Sequence, residues 1–147
     1  MKLSTKGRYG LRAMVDLAET SEEGPVSIQT IAKRQDLSDK YLEQLLGLLK
    51  KAGLVKSVRG IQGGYQIVGD MAQISVGDIL RALEGDLTLV DCAGLEKDGV
   101  CKTAKFCVTK YVWKKIHENL EDTVDHITLK ELVEQSKSIQ AGTWEEE

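Results

Sequence analysis

No apolar run in these 147 residues approaches the roughly 20 needed to span a bilayer. The opening Met1-Lys2-Leu3-Ser4-Thr5-Lys6 lacks the apolar core and small-residue cleavage site of a signal peptide. A cytoplasmic chain without a membrane partner is the expectation. Cysteine is scarce and odd in number: Cys92, Cys101 and Cys107 fall in one short stretch, which argues against a disulfide framework. No nucleophile–base constellation appears. The glycine-rich turn Gly60-Ile61-Gln62-Gly63-Gly64 lacks the strand-to-helix context of a phosphate-binding loop, so no enzyme is expected. Internal repeats are also missing.

What is present is a segregation of charge. The net charge is −3, yet residues 1–60 carry +4 and residues 61–147 carry −7. A basic first part on an acidic body suits a protein that meets phosphate at one end.

The periodicity places three helices first. Ser4 or Thr5 starts one that runs to about Thr20, with Leu11, Val15 and Ala18 inward beside Met14 and Leu17. Ser21-Glu22-Glu23-Gly24-Pro25 breaks it, and Ser27 starts a second through Gln35 with Ile28, Ile31 and Ala32 inward. Ser38 starts a third through about Ala52 on Leu42, Leu45, Leu46 and Leu49, closed by Gly53. Residues 54–59 alternate as a strand, residues 60–64 form a hairpin tip, and residues 65–68 return. Ser75 opens a fourth helix on Val76, Ile79, Leu80 and Leu83, ending before Gly85. Residues 86–106, with Gly94 and Gly99, read as a long loop that has a task or a ligand. From about Thr103 to Thr123 a long amphipathic helix follows on Val108, Tyr111, Val112, Ile116, Leu120 and Val124, near 30 Å at about 1.5 Å per residue. Thr128 opens a short last helix to about Gln135, and the tail ending Trp144-Glu145-Glu146-Glu147 reads as disordered.

The fold class is therefore mainly α with a small β-hairpin wing. Residues 1–84 form a winged helix-turn-helix, 85–107 a cysteine segment, 103–135 a dimerisation helix and a short C-terminal helix, and 136–147 a tail. On the third helix, Ser38, Tyr41 and Gln44 are three apart on one face, with Lys40 beside them. Gln bonds adenine in a bidentate manner, Tyr and Ser reach phosphate or base, and Lys neutralises phosphate. The tip sets Arg59 and Gly60 beside Gly63 and Gly64, a slim cationic turn fit for a minor groove, with Lys56 within reach of phosphate. Lys2, Thr5, Lys6, Arg8 and Tyr9 cluster at a helix start, a natural phosphate site. The partner read from these features is double-stranded operator DNA.

Three stretches carry a resemblance: Leu3-Ser4-Thr5-Lys6-Gly7-Arg8-Tyr9-Gly10-Leu11-Arg12, Leu37-Ser38-Asp39-Lys40-Tyr41-Leu42-Glu43-Gln44-Leu45, and residues 53–65. In this order they resemble the IscR/NsrR/CymR family of bacterial regulators, over about residues 1–124 and most of all its iron–sulfur-assembly branch. The resemblance implies a homodimer clasped through the long helix on a roughly palindromic operator, with Ser38, Tyr41, Gln44 and Arg59 at the DNA. A repressor-type sensor is the expectation.

Cys92-x8-Cys101-x5-Cys107 lacks the close pairs usual for zinc, and iron–sulfur clusters want about four protein ligands. Family members with three cysteines here bind such a cluster, so the resemblance implies one, [2Fe–2S] favoured over [4Fe–4S], with iron–sulfur assembly machinery as donor. The chain departs from the assembly branch in its longer first spacing. It also carries Lys110, protonated at neutral pH, where that branch has a histidine ligand. Glu43, beside the reading face, is the favoured fourth ligand, ahead of Asp91, His117 and His126. Cluster gain or loss would then reorder the loop and shift the third helix or the wing. Two rivals remain: a cluster-free regulator governed by thiol oxidation or a protein partner, and an electron carrier.

Overall fold

Most helices of this chain begin at a hydroxyl, because a Ser or Thr side chain satisfies a backbone N–H that the first turn leaves without a partner. The computed structural model describes residues 3–93, 101–143 and 145–146. Lys2, Gly94, Gly99 and Trp144, named in the sequence reading, lie outside the described residues. Ser4 caps α1 (Thr5–Thr20), Ser27 caps α2 (Ile28–Gln35) and Ser38 caps α3 (Asp39–Lys51). Ser75 and Thr128 open α4 (Val76–Glu84) and α6 (Leu129–Gln140) with full capping boxes, in which Asp78 and Glu131 return the bond. α5 (Lys110–His126) has no such side-chain cap.

The wing is the antiparallel pair β1 (Val55–Val58) and β2 (Gly64–Ile67), in the register Val55 to Ile67 and Val58 to Gly64. It is joined to the segment before α2 by a two-way bridge. Val26 N–H donates to Tyr65 O at 2.9 Å and Tyr65 N–H donates to Val26 O at 2.8 Å. A Cβ on Gly64 would overlap the Val26 carbonyl, so the approach requires glycine.

The core lies where α1, α3 and α4 meet. Met14, Leu17, Ile31, Leu42, Leu45, Leu46, Leu49, Ile79 and Leu129 are fully buried. The α3 stripe falls where its spacing puts it. On α1 the buried line centres on Ala13, Met14, Leu17 and Ala18, leaving Leu11 and Val15 half-buried. α4 is the hub of the molecule. Its approach to α1 is possible because Gly10 presents no side chain to Leu83, and its approach to α5 because Gly77 presents none to Asp125. Arg81 then grips Asp125 with two bonds, at 2.6 and 3.0 Å. A second small cluster, Val76, Leu80, Leu87 and Val124, fills that joint.

Two helix boundaries differ from the sequence reading. The long helix starts at Lys110, not Thr103, and spans about 25 Å at 1.5 Å per residue. Residues Ala104–Phe106 form a separate 3-10 turn, Cys107 is extended, and the Thr109 hydroxyl meets Cys107 Sγ at 3.1 Å instead of capping. The last helix runs to Gln140, so residues 136–140 are not a loose tail. Leu129 and Val133 sit in the main core, and Gln140 Nε2 donates to Glu19 Oε1 at 3.3 Å, which holds the helix on α1. Gly142, at φ 70°, follows its end. No helix among the described residues is long and apolar enough to cross a membrane.

Candidate nucleic-acid interface and cysteine segment

The turn between α2 and α3 sets how α3 is presented, and it is fixed by a carboxylate that the sequence reading passed over. Asp16, 7 % exposed on α1, accepts from Arg34 Nη2 at 2.5 Å and from Gln35 Nε2 at 2.6 Å. Gln35 Oε1 accepts in turn from Arg12 Nε at 3.1 Å. Both Arg34 and Gln35 close α2, immediately before Asp36 takes a left-handed conformation (φ 54°) and the chain enters α3. A lone charge inside the apolar stripe of α1 was the signal available.

On α3, Lys40, Glu43 and Gln44 are exposed, and Tyr41 is half-buried. Ser38 and Tyr41 have structural tasks as well. Ser38 Oγ accepts from the Tyr41 N–H at 3.1 Å, and the Tyr41 hydroxyl donates to Thr5 Oγ1 at 3.1 Å. The Tyr41 ring meets Tyr9 edge to face at 6.3 Å, while the guanidinium groups of Arg8 and Arg12 lie 5.6 and 5.4 Å from the Tyr9 ring centre. The start of α1 and the polar face of α3 are thus one surface. The amide end of α1, read as a phosphate site, is already filled. Glu84 Oε1 accepts from Gly7 N–H at 2.9 Å and from the Ser4 hydroxyl. Thr5, Lys6 and Arg8 are exposed around it.

In the wing, Lys56, Arg59, Gly60 and Gln62 are exposed, and Ile61 stands fully exposed at the tip. Gly63 N–H donates to Gly60 O at 3.0 Å, which closes the turn. Lys50 Nζ donates to Ser57 Oγ at 2.8 Å, linking the end of α3 to β1.

All three cysteines are free thiols. Cys92 is half-buried in the 3-10 turn Asp91–Ala93, which packs against α5. Cys101 Sγ lies 3.3 Å from the Thr103 hydroxyl. Hydrogen bonds from Thr103 and Thr109 hold the Cys101 and Cys107 thiols below the usual thiol range, and the charge of Lys110 adds to the effect on Cys107. Among the described residues no three His, Cys, Asp or Glu side chains are gathered closely enough to hold a metal ion. The donor set suits iron–sulfur chemistry in kind, with two thiols lowered from their ordinary range, but its three thiols are not assembled in one place among the described residues. Glu43 is on α3 and exposed. His117, on the helix that the Cys92 turn packs against, has a buried Nδ1 without a hydrogen-bond partner.

A three-helix head with a hairpin wing and an exposed basic, polar surface defines a winged helix-turn-helix transcription regulator. The family model described as "Rrf2: Iron-dependent Transcriptional regulator" matches residues 3–135. The chain is 42% identical over 133 residues to the HTH-type transcriptional regulator IscR of Cronobacter sakazakii, covering 90% of this chain and 80% of that one. The solved T. potens IscR superposes with a TM-score of 0.75 at 45% identity, covering 100% of this chain and 94% of that one. The structure titled CymR (YrzC), the global cysteine regulator of B. subtilis, gives a TM-score of 0.75 at 41% identity, covering 91% and 97%. The chain belongs to the Rrf2 family, and its relatives are transcription regulators rather than enzymes.

Proposed function

We propose that this chain is a cytoplasmic, iron–sulfur-responsive regulator that binds a palindromic operator as a homodimer. The observation that carries the reading is the placement of three free thiols on the segment between α4 and α5, directly after the helix that packs on the reading head. Cys92, Cys101 and Cys107 hold the cluster, [2Fe–2S] in preference to [4Fe–4S], supplied by iron–sulfur assembly machinery. When bound, the cluster supplies a bond between thiolates that oxidants or cluster shortage remove. Glu43 is one candidate for the fourth ligand and His117, with its orphaned Nδ1, is the other.

The chain's own residues do the reading. Gln44 addresses a base edge, with Ser38 and Tyr41 on the same face, and Lys40 and Lys56 meet phosphate. The Arg59 wing, with Gly60, Gly63 and Gly64, follows a minor groove. Lys2, Thr5, Lys6, Arg8 and Tyr9 supply the contacts around the start of α1. The homodimer is supported by the exposed apolar start of α5, where Tyr111 and Val112 follow Phe106 and Val108.

The test is iron and sulfide content on protein purified without oxygen, then the affinity for a selected duplex with and without the cluster. We expect about two irons per chain for [2Fe–2S] and about four for [4Fe–4S], loss of iron on replacing the three cysteines with Ala, and altered operator affinity. His117→Ala and Glu43→Ala separate the two candidate ligands. Protein without iron after anaerobic reconstitution, or affinity indifferent to iron, would overturn the cluster reading. The lowered thiols of Cys101 and Cys107 and the cysteine regulator among the similar structures favour one second reading, a cluster-free thiol or partner-controlled regulator. It predicts reversible oxidation without bound iron.

A further inference from the structure

We propose that Glu84 is a positioning residue of the DNA-reading head: its carboxylate fills the amide end of α1 and, by holding Ser4 and Gly7, sets Thr5 and Tyr41 for reading while keeping that helix end closed to phosphate. The inference rests on the DNA-reading function proposed above.

Glu84 is the last residue of α4, and its Oε1 receives both the Gly7 N–H and the Ser4 hydroxyl. Ser4 Oγ also accepts from the Lys6 N–H at 3.2 Å, so two amides of the first turn of α1 end in one network on a carboxylate. The packing makes room for it. A Cβ on Gly7 would lie 2.6 Å from Glu84 Oε1, and one on Gly10 would overlap Leu83. Two glycines one turn apart on α1 therefore let the end of α4 reach the helix start. Between Ser4 and Gly7 sits Thr5, whose hydroxyl accepts from Tyr41 on α3. Glu84 thus stands two bonded steps from the reading face.

It also directly precedes the cysteine segment in the chain. Gly85 (φ 83°) follows it and the chain then runs to Cys92. Ser4 and Glu84 form one wall of a cleft of about 500 Å³ whose other walls include Leu87, Leu89, Ile116 and Leu120.

The amide end of a helix attracts any anion. Left open here, beside Lys6 and Arg8, it would take a DNA phosphate, a contact that strengthens binding to every sequence alike. Glu84 replaces that contact with an internal one and adds a fixed negative charge. Its two effects have opposite signs. Holding Thr5 and Tyr41 strengthens specific binding, and the filled helix end weakens indiscriminate binding.

The experiment uses the full chain and two probes: a duplex enriched by the wild type from a random-sequence pool, and a scrambled duplex of equal length. Glu84→Ala is expected to lose about tenfold on the enriched duplex, as when one specific contact is misplaced, while its affinity for the scrambled duplex holds or rises. Glu84→Gln keeps an acceptor oxygen without the charge. It should bind both duplexes more tightly by a similar factor, with a steeper salt dependence. Both affinities falling together in the Ala variant, or neither variant differing from wild type, would overturn the proposal. If the Ala variant does not fold, the Gln variant's scrambled-duplex affinity decides alone. A wild type that enriches no duplex would sink the DNA-reading function itself. The positioning claim is then read from the Thr5 and Tyr41 amide resonances, which must move in a folded Glu84 variant and would refute it by staying put.

Discussion

Two glycines, alike in sequence, have opposite consequences. Gly10 is buried beneath Leu83, whereas Gly47, exposed on α3, has nothing within 4 Å of where a Cβ would stand. An alanine gains about 1 kcal/mol of helix propensity at either position. At Gly10 that gain is exceeded by overpacking, which costs about 1–3 kcal/mol. Gly10→Ala should therefore lower Tm and Gly47→Ala should raise it by about 2–4 °C, on the usual scale for chains of this size. Thermal unfolding of both variants checks the pair, and equal shifts would refute the packing account. The role of Gly10 was not legible, because Leu83 lies far along the chain. Asp16 and Glu84 were missed for the same reason. Their partners come from other helices, and a spacing pattern reports only the element that contains it.

At the scale of elements, the reading succeeded wherever local chemistry decides. Ser27, Ser38, Ser75 and Thr128 announced their helices because a cap acts within four residues, and the α3 leucines announced their own face. It failed at the start of α5. Apolar spacing runs unbroken through Val108, yet the Cys107–Thr109 contact removes the cap and the helix waits until Lys110. It failed again at the end of α6, read as stopping near Gln135, where tertiary contacts keep the helix going to Gln140. The turn into α3 offers a test at this scale. Asp16→Ala would strand the Gln35 amide and the Arg34 guanidinium, of which Arg34 remains 41% exposed and recovers water. A loss of about 1–3 kcal/mol is expected by denaturant titration. A change within 0.5 kcal/mol would show that the turn holds without it.

For the whole molecule, α4 joins what the sequence separates. Through Leu83 and Glu84 it touches α1, and through Gly77 and Arg81 it touches α5, so head and long helix share one rod. The stripe of α5 divides accordingly. Val124 is packed against α4, Ile116 and Leu120 are half-buried, and Tyr111 and Val112 are 61 % and 51 % exposed. The exposed start of α5 is the expected meeting place of two copies. On the homodimer proposed above, sedimentation should show a dimer for the wild type and a monomer for Tyr111→Ser with Val112→Ser, with Tm little changed beyond the effect of dissociation. A double variant that stays dimeric would move the interface elsewhere.

The bridge between Val26 and Tyr65 has a consequence for the DNA itself. Stitched main chain to main chain just ahead of α2, the wing has no hinge of its own there, so its tip and α3 keep a constant phase. One extra base pair between a major-groove and a minor-groove contact shifts them by about 3.4 Å and turns them by about 35°. Such a rigid pair of probes has no slack to follow that change. In the operator mode proposed above, each half-site presents its two contacts at one spacing, and whatever latitude the operator has falls between its halves.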